Sequence, residues 1–137
     1  MRKAEGGHRQ ETILVVEDTD DVRKMICQIL QQQGYRVLEA ADGMQALELC
    51  SSCKDQIHLL LTDVLMPRMN GGELAEHMRR LNPRLPMIFM SGYADDAMVR
   101  RMARLAAFLA KPFTSAALTR KIREVLDESK TGPESTH

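Results

Sequence analysis

Five polar side chains at four separate places in this chain are of the types that move charged groups. Glu17 and Asp18 stand side by side, and Asp63, Ser91 and Lys111 follow singly. Each place comes directly after a short apolar run: Thr12-Ile13-Leu14-Val15-Val16, Leu59-Leu60-Leu61-Thr62, Met87-Ile88-Phe89-Met90 and Ala107-Phe108-Leu109-Ala110. If the runs are neighbouring strands, three carboxylates meet at one crevice, and their repulsion needs a counter-charge. A hard divalent cation is the natural one. Oxygen-only ligation favours Mg²⁺, which keeps several waters and works beside phosphate. A mobile ammonium (Lys111) and a hydroxyl (Ser91) aimed at one carboxylate, Asp63, suit phosphoryl transfer to it.

The elements that would position these groups are legible. The run from Ile57 to Leu61 has the continuity of a strand buried on both faces, as strands of parallel sheets do. Its loop continues through Pro67 and the turn signal Asn70-Gly71-Gly72. After the first strand, Thr19 is placed to cap a helix with Asp20 and Asp21 in its first turn. That helix carries Val22, Met25, Ile26, Ile29 and Leu30 at helical spacing, and Gly34 stops it. Residues 36–40 form a second strand, and Asp42-Gly43 leads into a helix burying Ala46, Leu47, Leu49 and Cys50. Leu74, Met78 and Leu81 mark a third helix closed by Asn82-Pro83. Residues 94–105 read as helix α4, and Ala107-Phe108-Leu109-Ala110 as strand β5. Thr114 caps helix α5, with its stripe of Leu118, Ile122, Val125 and Leu126. Five alternations of strand and helix predict an α/β fold, one parallel sheet covered on both faces. In a flavodoxin-like (βα)5 sandwich of order 2-1-3-4-5, Asp63 lies at the carboxyl edge beside the topological switch point, where such sheets bind ligands.

Composition narrows the classes further. The 137 residues suit one core, with 44% hydrophobic and 28% charged side chains. We divide them into a flexible leader (1–10), one domain (11–128) and a polar, disordered tail (129–137). Lys+Arg and Asp+Glu balance at 19 each, which gives no electrostatic case for nucleic acid or an anionic membrane. No apolar run approaches the roughly 20 residues of a membrane span, and the first residues hold no signal-peptide core, so the expected location is cytoplasmic. Cys50 and Cys53 lack a second pair or spaced histidines for a zinc site and are read as structural or exposed thiols, as His58 and His77 are read as structural. The many methionines are packing filler, and Arg100, Arg101 and Arg104 a solvated helix face.

Taken together and in order, these motifs resemble one family. Val-Val-Glu-Asp (15–18), Ala-Ala-Asp-Gly (40–43), Thr-Asp-Val-Leu-Met-Pro with Met-Asn-Gly (62–67 and 69–71), Met-Ser-Gly-Tyr (90–93) and Phe-Leu-Ala-Lys-Pro-Phe (108–113) are similar to the receiver domain of two-component response regulators. The segments 91–96 and 113–118 resemble most the receivers of hybrid sensor histidine kinases. The resemblance implies that Asp63 accepts a phosphoryl group from a phosphohistidine on a histidine kinase or histidine phosphotransfer protein. It also implies that Glu17, Asp18, Asp63 and the backbone carbonyl of Leu65 hold Mg²⁺, with Mn²⁺ able to substitute. Lys111 would pair with the phosphoryl oxygens, Ser91 would swing in to hydrogen-bond them, and Phe108 would be the switch aromatic. The Lys111-Pro112 peptide is expected to be cis, and the α4-β5-α5 face to serve a partner or a homodimer. The domain would turn over no separate substrate. Two rivals remain on the sequence alone. In a haloacid-dehalogenase-like phosphatase, Asp18 and Asp20 would supply nucleophile and acid, but Glu17 would have no role and the chain no room for a cap. The other is a degenerate receiver that binds partners without taking phosphate.

Overall fold

A computed structural model describes residues 11–53, 56–66, 68–92 and 107–135. Chain order is β1 (Thr12–Val16), α1 (Asp20–Gln32), β2 (Arg36–Ala40), α2 (Gly43–Cys53), β3 (Leu59–Asp63), α3 (Gly71–Leu81), β4 (Met87–Ser91), β5 (Ala107–Ala110) and α5 (Ser115–Ser135). The expected α4, with Arg100, Arg101 and Arg104, lies outside the described residues, as do Pro67 and Tyr93.

All five strands pair in parallel, in the order β2-β1-β3-β4-β5. This is the flavodoxin-like arrangement expected. β1, β3 and β4 are buried along their whole length, whereas β2, at an edge, is exposed or half-buried except at Ala40. Successive strand side chains point to opposite faces, and the core divides accordingly. Ile13, Val15, Leu59, Leu61, Ile88 and Met90 meet Ile26 and Leu30 of α1 and Leu118, Ile122 and Leu126 of α5. Leu14, Val16, Leu60 and Phe89 meet Ala46 and Cys50 of α2 and Leu74 and Met78 of α3. Helices thus cover both faces and leave the carboxyl ends of the strands for the site.

Local signals explain the boundaries. α1 ends in a Schellman motif: Gly34 takes φ 94°, its N–H donates to the Gln31 carbonyl at 3.0 Å, and Tyr35 N–H donates to Leu30 at 3.2 Å. Thr114 caps α5 through its hydroxyl, which accepts from Ala117 N–H at 3.0 Å. His58 holds strand ends together, its Nδ1 accepting from Thr12 N–H at 2.9 Å. Cys27 and Cys50 are both buried. Burial pushes the Cys27 thiol up to about 11, which leaves little thiolate to react.

Three expectations need correction. Thr19 occupies the N-cap of α1, but its side chain makes no capping bond, and its N–H donates instead to Glu17 Oε2 at 3.2 Å. Met25 and Leu81, assigned to apolar stripes, are exposed by 46% and 38%, because each lies at the margin of its helix's buried face. The backbone of α5 continues past residue 129 to Ser135. The stretch assigned to the tail, 129–137, thus overlaps this helix as far as Ser135.

Candidate functional site

Parallel register makes the site. Val16 of β1 sits level with Thr62 of β3, so the next residues, Glu17 and Asp63, leave the sheet side by side. Asp63 is level with Met90, which sets Ser91 one step further along β4, and Ser91 is level with Ala110, which sets Lys111 one step beyond that, just past the end of β5. Backbone bonds lock these ends together. Glu17 N–H donates to Ala40 at 3.1 Å, Val64 N–H to Met90 at 3.0 Å and Lys111 N–H to Ser91 at 2.9 Å.

Carboxylate oxygens of Glu17, Asp18 and Asp63 lie within 4.8 Å of one another, Glu17 and Asp63 buried and Asp18 exposed. Lys111 Nζ bridges two of them, at 2.8 Å from Glu17 Oε1 and 3.3 Å from Asp63 Oδ2. Burial first, then Glu17 and Asp18, raise the Asp63 pKa against the opposing Lys111, to a net value of about 6. Burial pulls Lys111 down, but its hydrogen bonds and charge contacts with Glu17 and Asp63 outweigh this and its pKa is raised. Among the described residues one ammonium thus faces these three carboxylates, an imbalance that a divalent cation on oxygen ligands would relieve. The donor set fits a hard cation such as Mg²⁺. Asp63 adjoins both other acids and Lys111, as does Glu17.

The remaining expected residues fall around this cluster. Ser91 is buried at the end of β4, and Leu65, 43% exposed, opens the β3–α3 loop. Phe108 lies level with Phe89 on the neighbouring strand and packs, half-buried, against the α2 and α3 side of the core. The Lys111-Pro112 peptide is cis. Asp20, the acid of the phosphatase alternative, is drawn away from the cluster by Arg23, 2.7 Å from its carboxylate, with 72% of its side chain exposed.

Several supporting residues were not apparent as such. Asn70-Gly71-Gly72 reads as a loop, yet α3 begins at Gly71. Asn70 accepts from Glu73 N–H at 2.9 Å while Glu73 accepts from Asn70 N–H at 3.0 Å, a capping box. The Asn-x-x-Glu spacing carried that signal. Gly71 lets α3 dock against β3: a Cβ there would lie 2.6 Å from the Asp63 carbonyl oxygen and 3.1 Å from Val64 Cα. Gly71 N–H also donates to the Val64 carbonyl at 2.8 Å. The Thr62 hydroxyl donates to the same Asp63 carbonyl at 3.0 Å. Arg68, at φ 70°, turns the β3–α3 loop through the left-handed region, which sequence reserves for glycine.

Comparison with known proteins places this geometry. The family model for the response regulator receiver domain matches residues 13–123. The chain is 40% identical over 119 residues to sensor kinase CckA of Brucella abortus, 85% of this chain but only 13% of that kinase. It is 34% identical to the response regulator receiver protein CpdR of the same organism, covering 83% of this chain and 95% of CpdR. It is 31% identical to sporulation initiation phosphotransferase F of Bacillus subtilis, covering 75% and 83% respectively. Among solved structures, the receiver domain of the hybrid histidine kinase CckA superposes with a TM-score of 0.73 at 36% identity, covering 84% of this chain and 98% of that one. The match runs through every strand end that carries Glu17, Asp18, Asp63, Ser91 and Lys111, and the chain belongs to the response regulator receiver domain family of two-component signalling.

Proposed function

We propose that this domain, residues 11–128, takes a phosphoryl group from a phosphohistidine onto Asp63. The donor would be a histidine kinase or histidine phosphotransfer protein. The observation that carries the reading is the convergence of Glu17, Asp18 and Asp63 within 4.8 Å, with Lys111 Nζ on two of them. In the transfer, the bond from phosphorus to the histidine nitrogen breaks as one to the Asp63 carboxylate oxygen forms. Glu17, Asp18, Asp63 and the Leu65 carbonyl would hold Mg²⁺, or Mn²⁺ in its place. The ion supplies charge stabilisation for the transferring group's oxygens.

Lys111 needs only to turn from Glu17 to pair with an oxygen on Asp63, because it already spans both carboxylates. Ser91 reaches the same oxygens from β4, and Phe108 follows its movement from β5. New charge at this crevice then biases a packed surface towards a second arrangement. Output would pass through the α4-β5-α5 face, to a partner or a second copy of the domain, with no nucleic acid and no separate substrate turned over. Among the described residues no helix is long and apolar enough to cross a membrane, and we place the domain in the cytoplasm.

Intact mass after incubation with acetyl phosphate tests this, with and without Mg²⁺, on wild type and Asp63→Asn. One phosphoryl adduct that requires both Mg²⁺ and Asp63 is expected. A folded wild type that takes no adduct would instead be a binding module, and an adduct that survives the substitution would move the nucleophile to Asp18.

A further inference from the structure

The mechanism leaves unexplained a guanidinium that reaches three elements beside the acidic pair. Arg23, in the first turns of α1, has only 12% of its side chain exposed. Its Nη1 donates to the Glu17 backbone carbonyl at 2.8 Å, its Nη2 to Asp20 Oδ1 at 2.7 Å and its Nε to Glu39 Oε1 on β2 at 3.0 Å. Around the same turn, Arg23 N–H donates to the Thr19 carbonyl at 2.9 Å and Thr19 N–H to Glu17 Oε2 at 3.2 Å. The peptide joining Glu17 to Asp18 is therefore held from outside by Arg23, while the Glu17 side chain is held from inside by Lys111.

That peptide sets where Asp18 points. Rotating it would swing the exposed Asp18 carboxylate away from the buried Glu17 and Asp63. Fork geometry lets one guanidinium fix a carbonyl against two carboxylates on different elements, which a single ammonium cannot reproduce. We propose that Arg23 is a positioning residue for divalent-cation binding. It would lock the Glu17–Asp18 peptide so that the three carboxylates converge. This inference rests on the reading of the cluster as a cation site.

Two physical effects of removing Arg23 have opposite signs, and this makes the test decisive. As a bare positive charge near the acids, Arg23 would repel an incoming cation, so its loss should tighten binding. As a strut, its loss should loosen binding by roughly 10-fold, the scale for groups that orient metal ligands. Mn²⁺ binding, followed by the loss of the free-ion electron paramagnetic resonance signal, separates the two without any phosphoryl transfer.

Arg23→Ala is expected to weaken Mn²⁺ about 10-fold. Arg23→Lys, which keeps the charge and one contact, should recover part of it, and Glu39→Gln, which loosens the Nε anchor, should weaken it about threefold. Arg123→Ala is the control for general destabilisation. That guanidinium also joins three partners, Tyr35 at 3.1 Å, Glu11 at 3.4 Å and Asp127 at 2.9 Å, but at the opposite end of β1. It should cost stability and leave Mn²⁺ affinity unchanged. Unchanged or tighter binding in Arg23→Ala, or an equal loss in Arg123→Ala, overturns the proposal. Should Arg23→Ala not fold, unchanged binding in both Arg23→Lys and Glu39→Gln overturns it as well. Wild type that binds no Mn²⁺, or an Asp18→Asn variant that binds it as tightly, overturns the cation site itself.

Discussion

Replacing Asp63 with Asn should make the cation-free domain more stable, by an amount that depends on pH. The Asp63 carboxyl is 8% exposed and its pKa rises on folding from 3.8 to about 6, chiefly through burial and next through Glu17. Between those values the folded state binds more protons than the unfolded one. Stability therefore falls as pH rises through the window and stays reduced above it. The interval corresponds to about 3 kcal/mol at pH 7.5 and roughly 1 kcal/mol at pH 4.5. Asn is nearly isosteric, carries no charge to desolvate and keeps an oxygen for Lys111. The expected gain at pH 7.5 is thus about 2 to 3 kcal/mol, or a rise of about 1 M in urea midpoint at a slope of about 2 kcal/mol per M. The chain has no tryptophan, so far-UV circular dichroism in urea with EDTA is the assay. The gain should shrink to about 1 kcal/mol at pH 4.5, and adding Mg²⁺ should stabilise wild type but not the variant. Equal or lower stability of Asp63→Asn at pH 7.5, or a gain independent of pH, would refute the reasoning.

Three further outcomes follow from the same geometry. Gly71→Ala places a Cβ 2.6 Å from the Asp63 carbonyl oxygen. Because backbone must move, it should cost about 1 to 3 kcal/mol where Ala in a helix ordinarily helps, and urea denaturation at wild-type stability would refute this. Asn70→Ala removes the capping box of α3 and should cost about 1 kcal/mol in the same assay, with no loss if the cap carries no weight. Lys111→Met leaves Glu17, 1% exposed, facing Asp63 without its cation. It should lose about 3 kcal/mol at pH 7.5, less below pH 6 where Asp63 takes up a proton. A loss that does not change with pH would show that Lys111 acts through packing instead of charge.

Much of the site was legible because parallel strands leave two kinds of trace. Runs such as Leu59-Leu60-Leu61 are apolar without alternation, since helices cover both faces, and each run ends where a polar residue meets the crevice. Strand order then turns distant positions into neighbours. The supporting layer left weaker traces. Asn70 and Glu73 had a readable spacing, but two following glycines favoured the loop reading. Gly71 is required by the approach of α3 to the Asp63 backbone, a distance that no local pattern encodes. Arg23 was invisible for the same reason: of its three partners only Asp20 lies within a helical turn, while Glu17 follows the end of β1 and Glu39 lies on β2.

The two layers differ because they answer different energetic demands. Acids gathered at strand ends are costly to bury and repel one another, and Asp63 records both, burial first, in its raised pKa. Residue type alone announces such a cluster, because Asp, Glu and Lys rarely follow buried strands without a reason. Keeping it assembled is a matter of backbone placement. The Thr62 hydroxyl and the Gly71 approach fix the carbonyl of Asp63, and Arg23 fixes the carbonyl of Glu17. Both carbonyls belong to residues whose side chains Lys111 bridges. The restraint therefore acts on the main chain just behind each carboxylate and leaves the side chains free to exchange Lys111 for an incoming charge. A site held by its side chains alone would have to break its own supports to do so.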